Sequence, residues 1–298
     1  MIHQFLDYFN KAKKMQELKF EGHTWTKEDV NDDLVWHIPI YDVVNRKYAA
    51  FSSLLEALDK KDKDPKGNGI YFKDLEIKDD DFINLCYFFR LCGSGINYIP
   101  KVDEPWNTHG FGNFWIVDLL RDEVNDTKSW LEFIPNDKFC DVKGYLLPMI
   151  KGGLRNFILD ESLLLLDHIK SKIYNKSFNS IKEVVDIGND YLISKGFKRQ
   201  NFVLTAFAMD LAEYYPHIVD RNSDVYVGSN AKKCLDQILP KMNKDKALRY
   251  LCDITGNHNK PYDMEDVACD FIRYIGNFQS PDHIKMNNGL IYKNNVSE

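Results

Sequence analysis

A chain of 298 residues, 44% of them hydrophobic and 13% aromatic, is long enough for one large domain or two small ones and rich enough in core material to exclude a disordered polymer. Its formal net charge of −6 excludes a uniformly basic surface but leaves room for a local basic groove. Six cysteines without a C-x-x-C pair and eight histidines without a His-Glu-x-x-His helix give no metal-ligand spacing.

No Walker loop, dinucleotide fingerprint or Gly-x-Ser-x-Gly elbow is present, so neither a metal nor a cofactor is expected. The opening "MIHQFLDYFNKAKKMQELKF" carries charges every few residues, unlike a signal peptide. No run approaches the roughly 18 apolar residues of a membrane span. The expectation is a soluble, cytoplasmic protein with reduced thiols and no membrane partner.

In chain order, residues 1–20 place Ile2, Phe5, Leu6, Phe9, Met15 and Leu18 at helical spacing. A long helix is predicted after Pro39, with Tyr41, Val44, Tyr48, Phe51, Leu54, Leu55 and Leu58 on one face. It runs into "DKKDKDPKGNG", the best linker candidate, which separates an N-terminal helical region (1–75) from the remainder (76–298) unless one core spans both.

"DDDFINLCYFFRLC" reads as a helix with an acidic first turn and a stop at Gly93. A loop with Pro100, Pro105 and Gly110 follows, then a helix from about Asn113. Further helices are predicted in "GYLLPMIKGGLRNFILDESLLLLDHIKSKIY", "SIKEVVDIGNDYLISKGF" and "RQNFVLTAFAMDLAEYY". Others follow Gly228, cover 245–254 and occupy "DMEDVACDFIRYIG", with one short strand at "GLIYK". The pattern is that of an all-α, multi-helix fold.

Four stretches carry candidate chemistry. In "YLISKGFKRQNFVLTAFAMDLAEYY" a helix stops at Gly196 and a second begins near Asn201, a helix-hairpin-helix-like arrangement that can aim turn amides at a phosphate. Lys198 and Arg199 supply positive charge there, although an ordinary C-capped turn has the same residues. In "DVYVGSNAKKCLDQIL", Ser229 or Asn230 can cap the helix that follows Gly228, and Lys232 and Lys233 would reinforce an anion at its start. Asp220 and Asp224 lie just upstream as candidate acid/base groups.

Third, "FFRLCGSGINYIP" and "WNTHGFGNFW" bring Arg90, Gly93, Ser94, Gly95, Asn97, Tyr98, Trp106, His109 and Asn113 to one glycine-rich region, the mixture a base-binding pocket needs. Fourth, Asp266, Asp270 and Arg273 share a helical face, as a structural ion pair or a substrate-positioning one.

Taken in order, these segments resemble the α-glutamyl/putrescinyl-thymine pyrophosphorylases, the amino acid:DNA transferases of bacteriophages and bacteria. The matching residues are "KGFKRQNFVLTAFAMDLAEY" with Asp210-Leu211, Gly228-Ser229-Asn230-Ala231-Lys232-Lys233-Cys234-Leu235, and Asp266-Val267 followed by Ala268-Cys269-Asp270-Phe271-Ile272-Arg273-Tyr274. The chain departs from the family at Ser229 (proline there), Asn230 and Cys234 (glycine) and Ile272 (an acid).

The resemblance implies a DNA-glycosylase-like helical fold. It also implies DNA base hypermodification in modified duplex DNA, in which an amino acid or polyamine replaces the pyrophosphate of a pyrophosphorylated hydroxymethyluracil. On that reading Gly228, Ser229, Asn230, Lys232 and Lys233 meet the pyrophosphate. Asp224, Asp220 or His109 takes the amine's proton. Asn97, Tyr98 and Trp106 hold the extruded base, and Gly93, Ser94, Gly95 and Asn113 join the substrate- or phosphate-binding set. Gly196, Lys198 and Arg199 touch the DNA backbone, with Arg90, Asp270 and Arg273 in support. Two alternatives stay open: glycosylase-like base excision, and a non-catalytic α-helical module that binds nucleic acid or protein.

Overall fold

The computed structural model describes residues 1–20, 79–92, 154–256 and 260–277, and their regular elements are all helices. One isolated parallel bridge, Asn179 to Val219, is the extended pairing among the described residues. The all-α expectation therefore holds. The predicted helix over 41–58, the linker, the glycine-rich region 93–113 and the strand at "GLIYK" lie outside the described residues.

The helices fall into two units, one reaching Tyr226 and the other containing α1 and the chain after Val227. In the latter, α1 (Ile2–Phe20), α7 (Ser229–Ile238) and α8 (Lys244–Thr255) each pack on α9 (Pro261–Asn277). α1 buries Phe5, Tyr8, Phe9 and Ala12, the i, i+3, i+4, i+7 stripe of an amphipathic helix. Phe5 and Tyr8 meet Phe271 of α9 at ring separations of 5.4 and 5.5 Å. α7 repeats the stripe with Ala231, Cys234, Leu235 and Ile238.

Sequence signals set the ends of α8 and α9. The Asn243 side chain accepts from the amides of Asp245 and Lys246, and Gly256 closes α8 in the left-handed region at φ 64°. Pro261 occupies the first turn of α9, where its missing N–H costs nothing, and Asp263 reaches back to the Lys260 amide at 3.0 Å.

The other unit holds α2 (Asp79–Cys92), α3 (Leu154–Asp160), α4 (Ser162–Ile173), α5 (Ile181–Ser194) and α6 (Asn201–Tyr214). α5 packs against α4 and α6, and α6 against α2. Every residue of α6 from Val203 to Ala212 is buried, Thr205 and Asp210 included, so this helix lies at the centre of its unit. Gly188 lets α5 approach closely: a Cβ there would stand 2.9 Å from a Leu204 methyl and 3.2 Å from one of Ile169.

α5 begins with a complete capping box. The Ser180 hydroxyl accepts from the Glu183 amide, and the Glu183 carboxylate accepts from the Ser180 amide. The chain leading to Tyr226 is stapled beside it: the Asn179 side-chain amide donates to the carbonyls of Ile173, Lys176 and Ile218, and the Ile181 amide donates to Ser223 Oγ. Nearly all polar groups in this corner are thus paired, as burial demands.

Candidate nucleic-acid interface

The α5–α6 hairpin expected from the sequence is present. α5 ends at Ser194, Gly196 takes φ 80°, and α6 begins at Asn201. The Phe197 amide donates to the Leu192 carbonyl at 2.8 Å and the Gly196 amide to that of Ile193 at 2.9 Å, the two bonds of a Schellman stop. A positive φ is cheap only for glycine, which explains Gly196.

These bonds commit part of the turn's backbone. The amides of Lys195, Gly196 and Phe197 are committed to carbonyls at the end of α5, because a helix terminus satisfies its own polar groups first. The Gln200 amide is likewise taken, by Asn189 Oδ1 at 2.8 Å. These four amides are thus committed within the protein, and beside them the turn carries side-chain charge. Lys195, Lys198 and Arg199 are exposed, and no carboxylate among the described residues pairs with Lys198 or Arg199.

A buried polar chain holds the turn from beneath. Tyr87 Oη of α2 donates to Gln200 Oε1 at 3.1 Å, and Asn189 Nδ2 donates to Asn201 Oδ1 at 2.7 Å. Asn189, Gln200 and Tyr87 were not singled out in the sequence. The amides at 189, 200 and 201 were there to be read, but only folding brings them together.

Arg90, expected in a supporting role, forms a buried bidentate pair with Asp210, the acid of the Asp-Leu match on α6. The pair ties α2 to the hairpin's second helix. Burial, followed by the Asp210 charge, pushes the neighbouring Cys86 thiol well above its ordinary range.

Tyr226 lies on the same unit. Its hydroxyl donates to Asp186 at 2.7 Å, and the Lys182 ammonium stands 5.6 Å from its ring. That hydrogen bond is the main cause raising the phenol's pKa, and the Arg199 charge opposes it. Asp220 builds its own turn, accepting from the Asn222 amide at 2.9 Å, while Asp224 is half-buried.

In the other unit, the start of α7 corrects an expectation. Gly228 occupies the cap position, and neither Ser229 nor Asn230 caps the helix with its side chain. The Gly228 amide donates instead to the buried carboxylate of Glu265 at 2.9 Å. A carboxylate at a helix start is favoured by the dipole, and its charge opposes a second anion there. Lys232 and Lys233 are exposed on the first turn. Glu265 was missed in the sequence because it precedes the Asp266-Val267 match by one residue and faces inward.

Asp270 on α9 is buried. The Arg273 side chain lies outside the described residues, as do Gly93, Ser94, Gly95, Asn97, Tyr98, Trp106, His109 and Asn113. No group of three metal-ligating side chains occurs among the described residues, and no described helix is long and apolar enough to cross a membrane.

One feature had no sequence signal: an open cleft of about 570 Å³ lined by Tyr174, Lys176, Tyr215 and His217, with the Tyr174 hydroxyl on Asp80 at 3.0 Å. Its residues come from the start of α2 and from the segments that follow α4 and α6, and each alone reads as an ordinary surface residue. No family model, curated protein or solved structure matches the chain.

Proposed function

We propose that the protein binds DNA through the α5–α6 turn and modifies a base in the manner the sequence resemblance implies, on a DNA-glycosylase-like helical fold. One observation carries the DNA-binding part: a helix–helix turn that presents Lys195, Lys198 and Arg199 to solvent, with no carboxylate of the described residues paired with Lys198 or Arg199. Phosphates are the partners such a turn fits, because each cation can displace a condensed counterion.

The reaction itself rests on the resemblance. An amine nitrogen attacks the methylene carbon of a pyrophosphorylated hydroxymethyluracil. The new C–N bond forms as the C–O bond breaks, pyrophosphate leaves with the electron pair, and the nitrogen loses its proton to a carboxylate. Lys232 and Lys233 are the counter-charges named for the pyrophosphate, and Asp224 is the proton acceptor of first choice.

The test is mass spectrometry of nucleosides from pyrophosphorylated-hydroxymethyluracil DNA incubated with the protein and a pool of amino acids and polyamines. An amine-bearing, still attached base is expected. Abasic sites would instead establish glycosylase chemistry. A second reading, a non-catalytic interaction module, is favoured by Glu265: its carboxylate already occupies the Gly228 amide where the pyrophosphate was expected. DNA binding with neither product would select that reading.

A further inference from the structure

We infer that the cleft where α4 and α6 end is a binding site for a small organic cation with an apolar body, its ammonium or guanidinium group seated on the Asp80 carboxylate. The inference goes beyond the proposed function and is independent of it. Residues 174–177 of the lining lead into the start of α5, and Tyr215 follows the last residue of α6. The basic turn joins the opposite ends of the same two helices. The 14 residues of α5 therefore separate cleft and turn by about 20 Å.

The charge around the cleft selects the sign of its ligand. Asp80, in the first turn of α2, accepts from the Tyr174 hydroxyl through Oδ1 at 3.0 Å. Its Oδ2 stands 3.8 Å from the Lys170 ammonium, beyond hydrogen-bond reach, and that ammonium is closer to Asp167, at 3.1 Å. The lysine of the lining, Lys176, is held by Glu183. α4 and α6 both terminate in the lining, at the C-caps Tyr174 and Tyr215, and a helix C-terminus carries partial negative charge. An anion would meet two carbonyl ends and a carboxylate, whereas a cation complements all three.

The walls are held before any ligand arrives. The buried Asn179 side-chain amide donates to the carbonyls of Ile173 and Lys176 on one wall and of Ile218 on the other. Two backbone bonds double this staple, from the Asn179 amide to Ile218 at 2.9 Å and from the Asp220 amide to Asn179 at 2.8 Å. Phe178, next to Asn179, takes φ 57°, a left-handed conformation that a bulky residue adopts only where the surroundings impose it. Ile173 and Ile218 add apolar surface for the body of a ligand. A cleft of about 570 Å³ with preformed walls and few charged groups has the size of a small-molecule site.

The test uses the full-length, isotope-labelled protein and three probes of one body: benzylammonium, benzyl alcohol and benzoate. Amide shifts in two-dimensional spectra are followed as each is added. Benzylammonium should shift the amides of Tyr174 to Ser177 and of Tyr215, His217 and Ile218 saturably. Asp80→Asn, at an exposed position, should weaken that binding about tenfold. The alcohol and the benzoate should bind the wild type at least about tenfold more weakly than the cation. Lys198→Ala with Arg199→Ala should leave benzylammonium binding unchanged.

Benzoate or benzyl alcohol binding as tightly as benzylammonium overturns the inference. So does benzylammonium binding that Asp80→Asn leaves intact, or the absence of any saturable shift. A loss of benzylammonium binding in the double variant of the turn overturns it too, because it joins two places that α5 keeps apart. None of these outcomes alters DNA binding at the turn, which is measured separately.

Discussion

Arg90 on α2 and Asp210 on α6 meet as a bidentate ion pair, Nε and Nη2 standing 2.6 and 2.7 Å from the two carboxylate oxygens with both side chains buried. Two parallel charge-assisted bonds offset the cost of taking both ions out of water. Removing one partner leaves the other charged and uncompensated. Asp210→Ala should cost about 3–5 kcal/mol in denaturant unfolding, whereas Arg90→Met with Asp210→Leu should lie much closer to the wild type. A single variant that unfolds at the wild-type denaturant concentration would show that the pair contributes nothing.

The Cys234 thiol, buried against the core of its unit, is pushed up to about 12 by that burial. In the unfolded chain it ionises near its ordinary value of 9.0. The unfolded state thus releases a proton that the folded state keeps, and the contribution to stability present below pH 9 is lost as the pH rises toward 12. Stability should fall by about 1 kcal/mol for this thiol one pH unit above its unfolded value. In urea unfolding at pH 7.5 and 10, Cys234→Ala should show a smaller alkaline loss than the wild type, whatever its stability at neutral pH.

The capping box at Ser180 and Glu183 predicts a loss at the acid end. The Lys176 hydrogen bond first, and then the Ser180 amide, hold the Glu183 carboxyl below its ordinary 4.5. Its stabilisation is present above that value and lost as the pH falls through the lowered folded one. Glu183→Gln should therefore be less stable than the wild type at pH 7, and the difference should close in acid. Ser180→Ala should cost about 1 kcal/mol at any pH. Circular dichroism melts across a pH series measure both, and a Gln difference that grows in acid would contradict the assignment.

Gly188 sets two effects against each other. Alanine raises helix propensity by about 1 kcal/mol. Its Cβ, however, would stand 2.9 and 3.0 Å from the two methyls of Leu204, a side chain that is itself fully buried. Overpacking of a full core costs about 1–3 kcal/mol. Gly188→Ala should lower the melting temperature, and adding Leu204→Val should recover part of the loss. A melting temperature raised by Gly188→Ala alone would mean that Leu204 yields freely.

Much of the fold could be read along the chain because its signals are local. The helical spacing of α1, the helix after Gly228, the stop at Gly196 and the long apolar stretches of α6 each depend on neighbours within a turn or two of helix. The hairpin and its cations, Lys198 and Arg199, were legible for the same reason. The partners were not. Arg90 finds Asp210 at a separation of 120 residues, Tyr87 finds Gln200 at 113, and Gly228 finds Glu265 at 37. Buried polar groups are satisfied by whatever packing brings within about 3 Å, and spacing along the chain carries no record of that. Among the described residues, the sequence by itself thus indicated the helices and the basic turn. Only the tertiary structure decided that the amides of Lys195, Gly196 and Phe197 are spent on α5 and that a carboxylate, Glu265, holds Gly228 at the start of α7.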